Sequence, residues 1–306
     1  MRTLFPLLVI VSVAFRLVAG YTCEYQTVPA IVAVATDEPF VAVGCTFQAL
    51  VTVSGGDKSP FSNPAATALT GDLVAVRGCT FHASFVIQRI VAGSTSSDTA
   101  RITIADSTIQ GSLRLYDLWL ANATQVRLTN NVINATASLD VITRPYGLFF
   151  DVTKLSSGTN VSVVNCTIQA QRFGVLFRNW YAPHVVIEGN VVITFRATSV
   201  IVDAAFTVDW GCALCMPFLP SITNGIVART FSDFVLEAGN RFHGDVAIEL
   251  ASNSSLFIAD DNEFGRLLQV KGDGTTNLVS GGRRPLDPST TMSDDATSDV
   301  VVRIQV

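Results

Sequence analysis

One pattern recurs along the chain and restricts its fold more than any other feature. Phe40-Val-Ala-Val-Gly-Cys-Thr-Phe47 returns as Leu73-Val-Ala-Val-Arg-Gly-Cys-Thr-Phe81, then as Arg101-Ile-Thr-Ile-Ala-Asp-Ser-Thr-Ile109 and Gln125-Val-Arg-Leu-Thr-Asn-Asn-Val-Ile133. Asn160-Val-Ser-Val-Val-Asn-Cys-Thr-Ile168 and His184-Val-Val-Ile-Glu-Gly-Asn-Val-Val192 continue it, and residues 233–242 and 255–264 carry it with one extra turn residue. The template is apolar-x-apolar, a short turn, one small polar residue, any residue, then an apolar one. A second alternating segment often follows, as at Leu113/Leu115, Phe173/Val175/Phe177 and Val246/Ile248. Alternation with period two, bounded by Gly, Asn and Asp, predicts short strands.

The small polar position falls at Cys45, Cys79, Ser107, Asn131, Cys166, Asn190, Asn240 and Asn262, with spacings of 34, 28, 24, 35, 24, 50 and 22 residues. The base period is therefore about 22–25 residues, and the longer spacings hold inserted loops. That is the length of one turn of a three-sided coil, so the expected fold is all-β: a right-handed parallel β-helix of about eight or nine coils. Stacked coils lie about 4.8 Å apart, so equivalent turn residues form a column. Asn suits it because its amide bonds to neighbours and it tolerates a left-handed backbone. Cys suits it as a small inward hydrophobe. An antiparallel β-sandwich also gives short strands with turns, but it does not require the same small residue in each unit.

Of the six cysteines, Cys45, Cys79 and Cys166 occupy the column. Side chains stacked about 4.8 Å apart lie outside the roughly 3.5–4.5 Å Cβ window of a disulfide, so these three are expected to be buried thiols. Cys212 and Cys215, in Trp210-Gly-Cys-Ala-Leu-Cys-Met216, lie in the longest insertion. A local disulfide between them is the plain expectation, with free thiols the alternative. A redox pair needs a thioredoxin-like setting, and a zinc site needs a second ligand pair. Cys23 is left over.

The N-terminus supplies an address. Met1 and Arg2 precede an apolar run over residues 4–15 and the small-residue site Val18-Ala19-Gly20. These are the parts of a secretory signal peptide over residues 1–20, too short for the roughly 20 apolar residues of a bilayer span. No later stretch reaches that length, so no membrane span is expected within the chain. Five sequons at Asn122, Asn134, Asn160, Asn165 and Asn253 support a glycoprotein of the secretory pathway, extracellular or at the cell surface. Asn165 stands apart because the repeat places it in a tight turn. With 20 Lys and Arg against 25 Asp and Glu, the net charge is −5, which argues against a nucleic-acid partner.

The residues give little support to catalysis. Asp260-Asp261 is an adjacent carboxylate pair, but it falls in a turn where Asp belongs structurally. A glycosidase needs two opposed carboxylates around one bond. Phe242-His243-Gly244 and Arg303-Ile-Gln305 partly resemble elements of pectin-cleaving β-helices, without the lysine or the Asn-Thr-Asp element. Trp180-Tyr181 either stacks on a sugar or partner or caps an apolar edge. No catalytic residue, metal or cofactor is assigned.

The repeats are expected over residues 21–270. Residues 271–298, rich in Gly, Ser, Thr, Asp and Pro, read as a long mobile loop in which Arg283-Arg284 is a candidate processing site. Residues 299–306 read as a strand of a further coil. An array that stops on an uncapped apolar strand leaves edge groups unpaired, so the chain is expected to be the N-terminal part of a longer array.

The Val-x-Val-x-Gly-Cys-Thr-Phe and Val-Ser-Val-Val-Asn-Cys-Thr-Ile elements, with the signal segment and the sequons, resemble the dispersed gene family protein 1 group of trypanosomatids over residues 21–270. The resemblance implies a large surface glycoprotein with an adhesin-like ectodomain and membrane spans far downstream. It supplies no catalytic residues. The expected function is structural or adhesive, presenting loops to host or matrix ligands, protein or glycan. A polysaccharide-acting lyase or hydrolase is the alternative.

Overall fold

The computed structural model describes residues 16–29, 32–55, 71–92, 99–116, 118–120, 124–136, 146–155, 159–170, 173–180, 184–194, 226–230, 233–243, 246–250, 255–264, 267–273, 277–280 and 299–305. Among these residues the chain is all-β, with parallel sheets and no helix. Each repeat contributes an alternating strand, a tight turn and a two- to four-residue strand. A second alternating strand follows in most repeats.

In-register pairing does the organising. Arg101–Ala105 lies between Asp72–Arg77 and Gln125–Thr129, so Val76, Ile104 and Leu128 stand side by side. The row continues through Val163, Ile187 and Leu236 on the next strands. All of these are buried to within 1%. Their alternate neighbours, such as Arg127 and Glu188, face out. A slip of one residue would exchange the two faces, so the apolar row itself fixes the register. The short strands after the turns form a separate nine-stranded parallel sheet from Thr27–Val28 to Glu263–Phe264. Its inward row is Phe47, Phe81, Ile109, Ile133, Ile168, Val192 and Phe242.

The turn uses a left-handed residue, but not at the small polar position as the sequence suggested for Asn. The positive φ falls one residue earlier, at Gly44, Gly78, Asp106, Asn130, Asn165 and Gly189, with values of 52–62°. The small polar residue must keep its side chain inward, so the bend is taken by its neighbour. That neighbour is Gly, Asp or Asn, the residue types that tolerate this backbone best.

Arg16–Glu24 is one strand, whose pairing with Val32–Val43 shifts register between Ala19 and Tyr21. Two boundaries near the C-terminal end differ from the sequence reading. Residues 271–273 end the strand Leu267–Asp273, and Asn277–Ser280 pairs in parallel with Ser255–Ile258. The expected loop 271–298 therefore contains strand. Leu278 stands beside Leu256 and Val279 beside Phe257, and these two apolar residues were hidden by the polar composition around them. Asp299–Gln305 runs antiparallel to Leu267–Asp273, rather than parallel as a further coil would.

Candidate functional site

The eight small polar residues meet as one inward column. Six of them accept from the backbone N–H of their counterpart in the repeat before. Cys45 N–H points to Cys79 Sγ at 3.4 Å, Cys79 N–H to Ser107 Oγ at 3.1 Å, and Ser107 N–H to Asn131 Oδ1 at 3.1 Å. Cys166 N–H donates to Asn190 Oδ1 at 2.8 Å, Asn190 N–H to Asn240 Oδ1 at 2.9 Å and Asn240 N–H to Asn262 Oδ1 at 3.1 Å. At the remaining step Asn131 Nδ2 lies 3.9 Å from Cys166 Sγ. The asparagines also donate to carbonyls of the preceding repeat, Asn131 to Ile104 at 2.8 Å and Asn190 to Val163 at 2.8 Å. The column is thus occupied by its own structural bonds, and a buried group so satisfied adds stability.

One of the three column cysteines, expected as a buried thiol, is not a free thiol. Cys45 is disulfide-bonded to Cys23, with Cα atoms 6.4 Å apart. The exclusion by spacing holds for like positions on stacked repeats, but this link is diagonal. Cys23 pairs with Ala42 and so occupies a strand position of the first repeat. Cys45 occupies the turn position of the second. The offset brings their Cα separation inside the usual 4.4–6.8 Å range. Cys79 and Cys166 are buried free thiols. Burial pushes both above the ordinary thiol value, against the lowering effect of hydrogen bonds from Cys45 and Asn131. They therefore stay protonated and unreactive at neutral pH. Cys212 and Cys215 lie outside the described residues.

On the outside of the turns, Arg77 Nε lies 3.4 Å from Asp106, and Asn130 Nδ2 donates to Asp106 at 3.0 Å. These exposed contacts contribute little each. Among the sequons, Asn160 and Asn165 are exposed at either end of Asn160–Val164. Asn165 has φ +52°. Asn134 is half-buried, its Oδ1 accepting from Thr136 N–H at 3.1 Å and Thr136 Oγ1 at 2.5 Å. Asn122 and Asn253 lie outside the described residues.

An outer-face cluster escaped the sequence reading. Arg114 lies 5.6 Å from the Tyr116 ring centroid and 5.3 Å from that of Phe149, and Tyr146 stacks on Phe149 at 4.9 Å. Tyr116 also donates to Gln88. Phe149 alternates with core residues Leu148 and Phe150, yet is only 5% exposed. The available signal was an aromatic residue out of phase with the core alternation.

Other candidates are scattered. Asp260 and Asp261 are exposed in the turn before Asn262, and His243 is exposed with its N–H bonded to Val192. Trp180 ends the strand Phe173–Trp180, and Tyr181 lies outside the described residues. Among the described residues no group of three or more His, Cys, Asp and Glu side chains is placed to hold a metal ion. No described helix is long and apolar enough to cross a membrane. Comparison with protein-family models, curated proteins and solved structures gives no match to this chain.

Proposed function

We propose that the chain is a secreted or cell-surface glycoprotein, folded as a right-handed parallel β-helix, whose role is structural or adhesive. It presents its inserted loops to host or matrix ligands, protein or glycan. The observation that carries this reading is the contrast between column and loops. Successive column residues are separated by anything from 22 to 50 residues, yet they keep bonding to one another. The column repeats whatever the length between its members, as in a scaffold whose loops are free to differ. The signal-like segment, the exposed Asn160 and Asn165, and the resemblance to the dispersed gene family protein 1 group support the address.

The test is secretion of the full chain from a eukaryotic host, glycosidase treatment, and binding to host cells, matrix proteins and a glycan array. A glycosidase-sensitive secreted product that binds saturably supports the reading. An unglycosylated product retained inside the cell, or one that binds nothing, overturns it. The second reading, a polysaccharide-acting β-helix, is favoured by the aromatic and arginine cluster at Arg114, Tyr116, Tyr146 and Phe149. Incubation with pectin, alginate and hyaluronan distinguishes the two, because only an enzyme releases unsaturated or reducing ends.

A further inference from the structure

The first repeat is held differently from those that follow. Of residues 20–29 only Cys23 is buried, at 2% exposure, while Thr22, Glu24, Tyr25, Gln26 and Thr27 are exposed. In the second repeat Phe40, Ala42, Cys45 and Phe47 are all buried. Among the described residues, the first repeat pairs on one side only, residues 21–24 with 40–43 and Thr27–Val28 with Thr46–Phe47. A register shift at Gly20, with φ +63°, separates this pairing from that of residues 16–19. Its turn carries Tyr25 at φ +49° and 79% exposure, where the next two repeats have Gly44 and Gly78. A bulky side chain is strained in that backbone. The one fully buried residue is therefore also the one that is covalently tied.

We propose that the Cys23–Cys45 disulfide is a redox latch on the first repeat. Closed, it holds residues 21–28 on the stack. Opened, it lets that unit leave while the other repeats stay folded. A dithiol reductant opens it by exchange. One thiolate attacks a protein sulfur and the S–S bond breaks, leaving a mixed disulfide. The second thiol then closes the reductant into a cyclic disulfide, and Cys23 and Cys45 each end as a protonated thiol. The link spans 22 residues, and its loss restores their freedom in the open state. A unit of a stack that pairs on one side only, as this one does among the described residues, can open by itself. Opening takes the Tyr21 ring off Phe40, 5.3 Å away, and leaves residues 40–43 and Thr46–Phe47 as edge segments with unpaired backbone groups.

The test treats the folded full chain with dithiothreitol, traps thiols with iodoacetamide, and follows peptide mass and amide exchange. Cys23 and Cys45 are expected to alkylate while Cys79 and Cys166 do not. Amides of residues 21–28 are expected to exchange at least about tenfold faster, with residues 101–133 unchanged. The proposal fails if Cys79 alkylates in step with Cys45, if residues 21–28 keep their protection, or if the disulfide resists reduction. The variant Cys23→Ser gives a second reading without reductant: Cys45 should alkylate and Cys79 should not. Protection of Cys45 in that variant also overturns the latch.

Discussion

The inward column has two chemistries, and they bind the repeats differently. From Asn190 to Asn262 each side chain works across a repeat boundary in both directions. Asn240, for example, accepts from Asn190 N–H at 2.9 Å and donates to Ile187 O at 3.0 Å. At Cys79 and Ser107 the side chain accepts one N–H from the previous repeat but donates within its own, to Arg77 O at 3.5 Å and Ala105 O at 2.7 Å. The Cys and Ser end therefore has one side-chain tie per boundary where the Asn end has two or three. Stacked rings occur at both ends, Phe47 and Phe81 at 4.8 Å beside Cys45 and Cys79, and Phe242 and Phe264 at 5.4 Å beside Asn240 and Asn262. What the Cys end adds is the covalent Cys23–Cys45 link.

The contrast is easiest to break at its Asn end. Replacing Asn190 by Ala leaves both Cys166 N–H and the Val163 carbonyl without the partners they now have at 2.8 Å. A loss of about 4 kcal/mol is expected, since each buried unsatisfied group costs about 1–3 kcal/mol. Chemical denaturation of the purified variant measures it, and a loss below about 1 kcal/mol would mean that the amide ties are dispensable. Cys23→Ser comes next. Opening the 22-residue link should cost about 3 kcal/mol, read as a lower denaturation midpoint in non-reducing buffer.

Cys79→Ala removes the single acceptor of Cys45 N–H, for a smaller loss of about 1–2 kcal/mol. Cys79→Ser should recover part of it, because Ser107 already fills an equivalent slot; an equal loss in both variants would show that packing, not hydrogen bonding, holds that position. The smallest effect is on pH. Cys166 has its thiol value raised by burial, so its stabilisation is fully present below the unfolded thiol value of about 8.5. It declines as pH rises through the folded value, because the unfolded chain ionises first. Denaturation midpoints for wild type should fall above about pH 9 and those for Cys166→Ala should fall less.

Much of the column was legible because repetition is a property of the sequence itself. Asn131, Cys166 and Asn190 recur at fixed offsets from their apolar neighbours, and parallel pairing carries equal offsets into equal positions. The cluster at Arg114 and Phe149 was less legible, since alternation marks Phe149 as outward but does not say that the outward side is covered. The strand Asn277–Ser280 was missed because a Gly-, Thr- and Asp-rich window diluted its two apolar residues, Leu278 and Val279, which pair with Leu256 and Phe257.

What the sequence determined by itself was periodicity: which residues alternate, where turns fall, and which small residues share one role. Those are local facts, set by side-chain size, polarity and backbone preference along a few residues. What only the tertiary structure decided was adjacency between unlike positions. Cys23 on a strand and Cys45 in a turn are 22 residues apart, and no repeat offset relates them. Their meeting depends on how far one repeat is displaced over the next in three dimensions, a distance that sequence spacing does not contain.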